Sequence, residues 1–183
     1  MTVVDILPLS KNRKMSSSTI QIRLLSPADA ELFREVRLEA LRSNPEAFGS
    51  TYEAEKDAPP AKYAAWLADS QIFGAFQGSE LVGIAAFTVK EGKKESHKGL
   101  LRSMFVCSSA RRAGVGRRLV EAILQTARDK VEIIQLSVVS GNQPAIRLYE
   151  NLGFQRYGLE KHALKQNGQY YDEILMALDL TSA

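Results

Sequence analysis

The sequence predicts a mixed α/β domain, and three local signals carry that prediction. Ile20, Ile22 and Leu24 alternate with Gln21 and Arg23, the period of a half-buried strand. Val115, Leu119, Val120, Ile123, Leu124 and Ala127 return at helical spacing. Asn167-Gly168 stands between two alternating segments, the strongest short hairpin signal.

The other elements follow in order. After the first strand, Ser26, Pro27 and Asp29 announce a helix start, with Ser as N-cap, Pro at the first helical position and a carboxylate three residues after the cap. That helix carries Leu32, Phe33, Val36, Ala40 and Leu41 on one face and stops before Asn44-Pro45. A weaker helix includes Tyr63, Trp66 and Leu67. A meander of strands is expected at 72–76, 81–89 and 100–106, with a turn at Gln77-Gly78 and a charged loop from Glu91 to Lys98. The long helix then spans 115–130, a strand 131–139 and a short helix 144–152, which Gly153 ends. Two strands, 154–164 and 170–180, close the chain, with Ile174, Met176, Leu178 and Leu180 as the buried face of the last.

The bulk properties bound the function. At 183 residues the chain has room for one core, expected over 20–183, and residues 1–19 read as a disordered leader in which Met15 offers a second start. No apolar run approaches the roughly 18 residues of a membrane span. The 24 basic residues barely exceed the 21 acidic ones, too small an excess for a nucleic-acid footprint by itself. Four arginines do cluster, Arg111, Arg112, Arg117 and Arg118, but no stacking aromatics interleave them, so nucleic acid is not expected as a partner. One cysteine, Cys107, excludes an intrachain disulfide and fits a reducing, cytoplasmic setting. Two histidines, His97 and His162, argue against a metal site.

Arg111-Arg112-Ala113-Gly114-Val115-Gly116 lies between a strand end and a helix start. A helix start presents unpaired N–H groups and a positive dipole end, and glycines admit an anion close to the backbone, so a diphosphate fits. The loop is neither a P-loop nor a dinucleotide fingerprint: no Gly-Lys-Ser/Thr ends it, and Leu119 occupies the place of a third glycine. The plain alternative is a glycine turn with a solvated basic helix start.

Val106, four spacer residues and then Arg111-x-x-Gly114-x-Gly116 resemble the acetyl-CoA loop of the GNAT superfamily of N-acetyltransferases. Leu136-x-Val138, Asn142, Ala145, Leu148-Tyr149 and Gly153-Phe154 resemble the strand, loop and helix that complete the cofactor cleft in that family. Together the two motifs cover residues 100–154. Ser108 and Ala110 depart from the family pattern, where a proline and a bulky residue are common.

The resemblance implies a central, mostly antiparallel sheet with a splayed strand pair, flanked by about four helices. It implies acetyl-CoA as cosubstrate and no metal, with Met104, Phe105, Val106, Arg111, Arg112, Ala113, Gly114, Val115, Gly116, Arg117, Asn142 and Tyr149 as its binding residues. The implied reaction is direct acetyl transfer to a primary amine, with Tyr149 as the acid for the leaving thiolate; a phenol of pKa ~10 is protonated near neutrality. Tyr149 also reads as one more core aromatic, and Asn142 as a helix cap. The alternative function is a catalytically silent CoA-binding sensor.

The acceptor, a small-molecule or peptide amine, is expected at the segment 44–69, where Glu46, Glu53, Glu55 and Asp57 would attract a cation, although solvated loop charge is the plainer reading of these carboxylates. Glu53, Glu55 or Glu173 could back a water that takes the amine's proton. Cys107 has no histidine placed to activate it, which speaks against a thiol intermediate. An open edge in the closing hairpin could pair with a second copy into a homodimer.

Overall fold

The computed structural model describes residues 19–181, so the expected leader lies, save Thr19, outside the described residues. Seven strands form one sheet in the order β1-β2-β3-β4-β5-β7-β6. They are β1 Ile20–Leu24, β2 Gln71–Gln77, β3 Glu80–Val89, β4 Lys98–Val106, β5 Ile133–Val139, β6 Gln155–Gln166 and β7 Gln169–Asp179. Five helices accompany them: α1 Ala30–Ser43, the single turn α2 Tyr52–Glu55, α3 Pro60–Asp69, α4 Val115–Ala127 and α5 Gln143–Glu150. Every strand pair is antiparallel except β4 with β5.

Local chemistry accounts for most boundaries. Asp29 Oδ2 accepts from the Ser26 backbone N–H at 2.8 Å, as a capping box requires, but Pro27–Asp29 first winds a 3-10 turn and α1 begins at Ala30. Hydrogen bonds from both Arg23 nitrogens, at 2.8 and 2.6 Å, hold the Asp29 carboxyl well below the usual carboxylate range despite its burial. The α4 helix ends at Ala127, three residues short of the expected end, and β5 starts at Ile133 rather than 131. Asn167 and Gly168 both have positive φ, 51° and 82°, the turn that matches strand twist in a two-residue hairpin.

Two apolar clusters sandwich the sheet. One gathers Leu119, Val120 and Ile123 of α4 and Ile146 and Tyr149 of α5 against Val82, Phe87, Ile134 and Met176. The other gathers Phe33 and Val36 of α1 and Tyr63 and Leu67 of α3 against Ile72, Phe76 and Ile84. On β7 the expected buried face holds Ile174 and Met176 fully, whereas Leu178 and Leu180 are half-buried.

The second cluster contains an ion pair. Arg37, 4% exposed, gives Nε and Nη2 to the two oxygens of Glu55 at 2.9 and 2.8 Å, and its guanidinium lies 5.4 and 5.3 Å from the rings of Phe48 and Trp66. Burial acts to raise the Glu55 carboxyl, but hydrogen bonds from Arg37 and Ser50 outweigh it and hold the carboxyl below its ordinary value. Its stabilising effect is therefore present above the unfolded carboxyl's pKa of about 4.3 and lost as pH falls through the lower folded value. Arg37 Nη1 already lacks a partner among the described residues, so removing the carboxylate strands a buried cation. Glu55→Ala is expected to lower the unfolding free energy by about 3–5 kcal/mol at pH 7 in a denaturant titration, and a loss under about 1 kcal/mol would show the pair to be energetically idle.

Candidate active site

The site begins where two strands part. β4 pairs with β5 only through Lys98↔Ile133, Gly99↔Ile134 and Leu100↔Gln135. Beyond Leu100, β4 stays on β3 as far as Val106 while β5 stays on β7 as far as Val139. Each parting strand therefore turns an unpaired ladder edge toward the gap, and buried backbone polar groups need partners. The register adds a second irregularity: between Ala86↔Arg102 and Ile84↔Phe105, β3 advances two residues and β4 three. The extra residue is Ser103, at φ 53°, and such a bulge bends the strand and re-aims the residues beyond it.

A cleft of about 1470 Å³ opens from this gap. Met104, Phe105 and Val106 line it from β4, Val139 to Asn142 from the end of β5, and Leu148 and Tyr149 from α5. The start of α4 supplies Arg111, Arg112, Gly114, Val115, Gly116 and Arg117. Of the expected cofactor-binding residues, Ala113 alone is off the wall; it is exposed at the loop apex between Arg112 at φ 63° and Gly114 at φ 75°.

That apex turns the start of α4 toward the cleft. Gly114 caps α4 in the left-handed region, and the first bond of the helix runs from the Arg118 N–H to the Gly114 carbonyl at 3.1 Å. The N–H groups ahead of Arg118 have no helical carbonyl to reach and carry the positive end of the dipole. A Cβ on Gly116 would stand 3.2 Å from Leu148 and 3.3 Å from Met104, so glycine also lets α4 approach the opposite wall.

The four arginines divide. Arg111 Nε donates to the Val106 carbonyl at 3.0 Å, Arg117 pairs with Glu121, and Arg118 reaches the Ile20 carbonyl away from the cleft. Arg112 has no side-chain partner among the described residues and remains available to an anion.

Tyr149 is 4% exposed and packs edge-on against Phe154 at 5.8 Å. Burial destabilises its phenolate and raises its pKa, so the proton stays on across the physiological range. Its hydroxyl makes no hydrogen bond among the described residues. Asn142 meets the cap reading, its Oδ1 accepting from the Ala145 N–H at 3.2 Å, and its place is on the cleft wall.

The far wall was not legible from the sequence in full. Asn44, Glu46, Ala47 and Phe48 form one side, and His162, Tyr170, Tyr171 and Asp172 of the closing hairpin form the other. The 3-10 turn Pro45–Ala47 packs against β5 and β6, which closes the two sides over the gap. Only Glu46 belongs to the acidic segment as expected. Glu55 is locked to Arg37, Glu53 is paired with Lys56, and Glu173 is on β7 outside the cleft lining. Cys107 is buried beside Glu39, its Sγ 3.5 Å from Oε2; burial and that carboxylate push the thiol up to about 12. Among the described residues no cluster of His, Cys, Asp and Glu could hold a metal, and no helix is long and apolar enough to cross a membrane.

A thiol held so far above neutrality is almost never thiolate. Cys107 is expected to react with an alkylating reagent at pH 7.5 on the order of 10²-fold or more slower than free cysteine, while Cys107→Ala keeps acetyl transfer. Rapid alkylation of the folded protein would contradict the buried thiol.

The Acetyltransferase (GNAT) family model matches residues 37–154, from α1 through the end of α5 and its turn. The N-alpha-acetyltransferase RimI of Mycobacterium tuberculosis is 32% identical over 60% of this chain and 69% of its own length. The L-amino acid N-acetyltransferase AaaT of Escherichia coli is 27% identical over 87% of this chain and 98% of its own. In fold, the ribosomal-protein-alanine N-acetyltransferase of Brucella melitensis superposes with a TM-score of 0.77 at 23% identity, covering 87% of this chain and 99% of that one. Salmonella typhimurium yncA, solved with acetyl-CoA, superposes with a TM-score of 0.78 at 20% identity, covering 89% and 95%. The parted strands, the glycine cradle at α4 and these likenesses agree, and the chain belongs to the GNAT family of acetyltransferases, as an N-acetyltransferase.

Proposed function

We propose that this protein acetylates a primary amine by direct transfer from acetyl-CoA within a ternary complex, with Tyr149 as the acid that protonates the departing thiolate. The observation that carries this reading is the buried, unpartnered and firmly protonated phenol of Tyr149 on the wall of the cleft. The α4 cradle and Arg112 would hold the diphosphate of acetyl-CoA. The open edge of β4 at Met104, Phe105 and Val106 would take the amides of the pantetheine arm, as an added strand would. A backbone N–H there would also face the charge that develops on the thioester oxygen. No covalent acyl-enzyme is invoked, because Cys107 is the chain's one thiol and is inert.

The far wall suits the amine. Glu46 and Asp172 attract an ammonium, and Phe48, Tyr170 and Tyr171 offer aromatic faces to a cation. The relatives above are named for N-alpha-acetylation, for ribosomal-protein alanine and for L-amino acids, so peptide and amino-acid amines both belong in the first screen.

Two substitutions test the reading. Gly116→Asp puts a carboxylate in the cradle and is expected to weaken acetyl-CoA binding at least tenfold in calorimetry; unchanged affinity in a folded variant would remove the phosphate site from α4. Tyr149→Phe is expected to lower kcat by roughly 10²-fold or more while acetyl-CoA affinity holds within about twofold. Full turnover by that variant, with chemistry rate-limiting, would end the acid role.

A further inference from the structure

We infer that His162 is the group that takes the proton from the acceptor's ammonium. This rests on the transfer reading above and adds the catalytic group at the other end of the reaction. An amine attacks only when neutral, and an alkylammonium near pH 7 must first lose a proton to a base that titrates close to that pH. Among the cleft's titratable side chains, Glu46 and Asp172 are carboxyls, Tyr149, Tyr170 and Tyr171 are phenols, and Arg111, Arg112 and Arg117 are guanidiniums. His162 is the imidazole on the wall, and the chain's other histidine, His97, is not among the lining residues.

The fold goes out of its way to put it there. Between Glu160↔Glu173 and Leu164↔Tyr171, β6 advances four residues while β7 advances two, so a double bulge breaks the ladder at 161–163. His162 holds φ 56° within it, a conformation that costs energy in a non-glycine residue and persists only where neighbours impose it. Two neighbours do. Asp172 Oδ1 accepts from the His162 backbone N–H at 2.8 Å, and the imidazole stacks on Tyr170 at 4.4 Å and 27°. Asp172, Tyr170 and His162 all line the cleft, and the turn bearing Glu46 packs against β6.

Charges around the ring come from each packed element. Asp172 lies on β7, Glu46 on the turn packed against β6, and Lys161 and Lys165 on β6, the last with its Nζ 4.8 Å from the Tyr170 ring. The ring is exposed, so it can return its proton to solvent.

Neutral His162 takes one proton from R–NH3+, leaving R–NH2 and an imidazolium. The amine's lone pair forms the C–N bond to the acetyl carbon, the C–S bond breaks, and the sulfur takes the Tyr149 proton. The second proton lost by nitrogen restores Tyr149, and the His162 proton goes to water.

The test uses the full chain and the best acceptor from a panel of L-amino acids and peptides with free N-terminal alanine. The wild type is expected to show an acidic limb in kcat/KM between about pH 6 and 7.5. His162→Gln should erase that limb and lower kcat/KM by roughly 10²-fold at pH 7, with acetyl-CoA affinity and Tm unchanged. His162→Gly, which suits the positive φ, should regain activity with added imidazole. A limb that survives His162→Gln, with or without loss of rate, overturns the proton role. A wild type that binds acetyl-CoA but acetylates nothing fails the transfer reading itself, and the base role falls with it.

Discussion

The structure depends on a missing pairing. β4 and β5 share three ladder positions and then part, each held by its other neighbour. Two rows of backbone groups are thereby left without strand partners inside an otherwise continuous sheet, a condition that a soluble protein tolerates only where water or a ligand completes the ladder. The rest of the site is arranged around that gap. The bulge at Ser103 bends one wall, the left-handed Gly114 turns the chain from β4 into α4 so that its N-terminus faces the opening, and α5 sets Tyr149 beside it.

The charge layout follows from the same geometry. Cations belong to the loop at α4, and carboxylates belong to the turn after α1 and the closing hairpin. On the proposed reading, a diphosphate and an ammonium would be drawn to different walls of one cleft. Arg37 and Glu55 contribute from beneath: their buried pair anchors the segment whose Phe48 reaches both the Arg37 guanidinium and the cleft.

What the sequence made legible was local or chemically distinctive. The Asn167-Gly168 turn and the glycines at the start of α4 are each written in a few adjacent residues and stand where expected, and the Asp29 capping box forms, though on a 3-10 turn ahead of α1. The bulges at Ser103 and 161–163 carry no glycine or proline signal; they exist because register is set by pairing with β3 and β7. Glu55 read as a loop carboxylate and a candidate base because its partner, Arg37, is 18 residues away and meets it only through packing. His162, Tyr170 and Asp172 were invisible as a site for the same reason: β6 had to fold back on β7 before they faced Glu46 and Phe48.

The central claim is that the parted strands are the acetyl-CoA site, and hydrogen exchange resolved to peptides covering 101–106 and 136–139 tests it most directly. Saturating acetyl-CoA should slow exchange in both segments and at the start of α4, because ligand amides and a diphosphate would occupy the open N–H groups. Slowing confined to α4, or no change in β4 when binding is independently shown, would contradict it and would mean that the gap between the strands is not where the ligand lies.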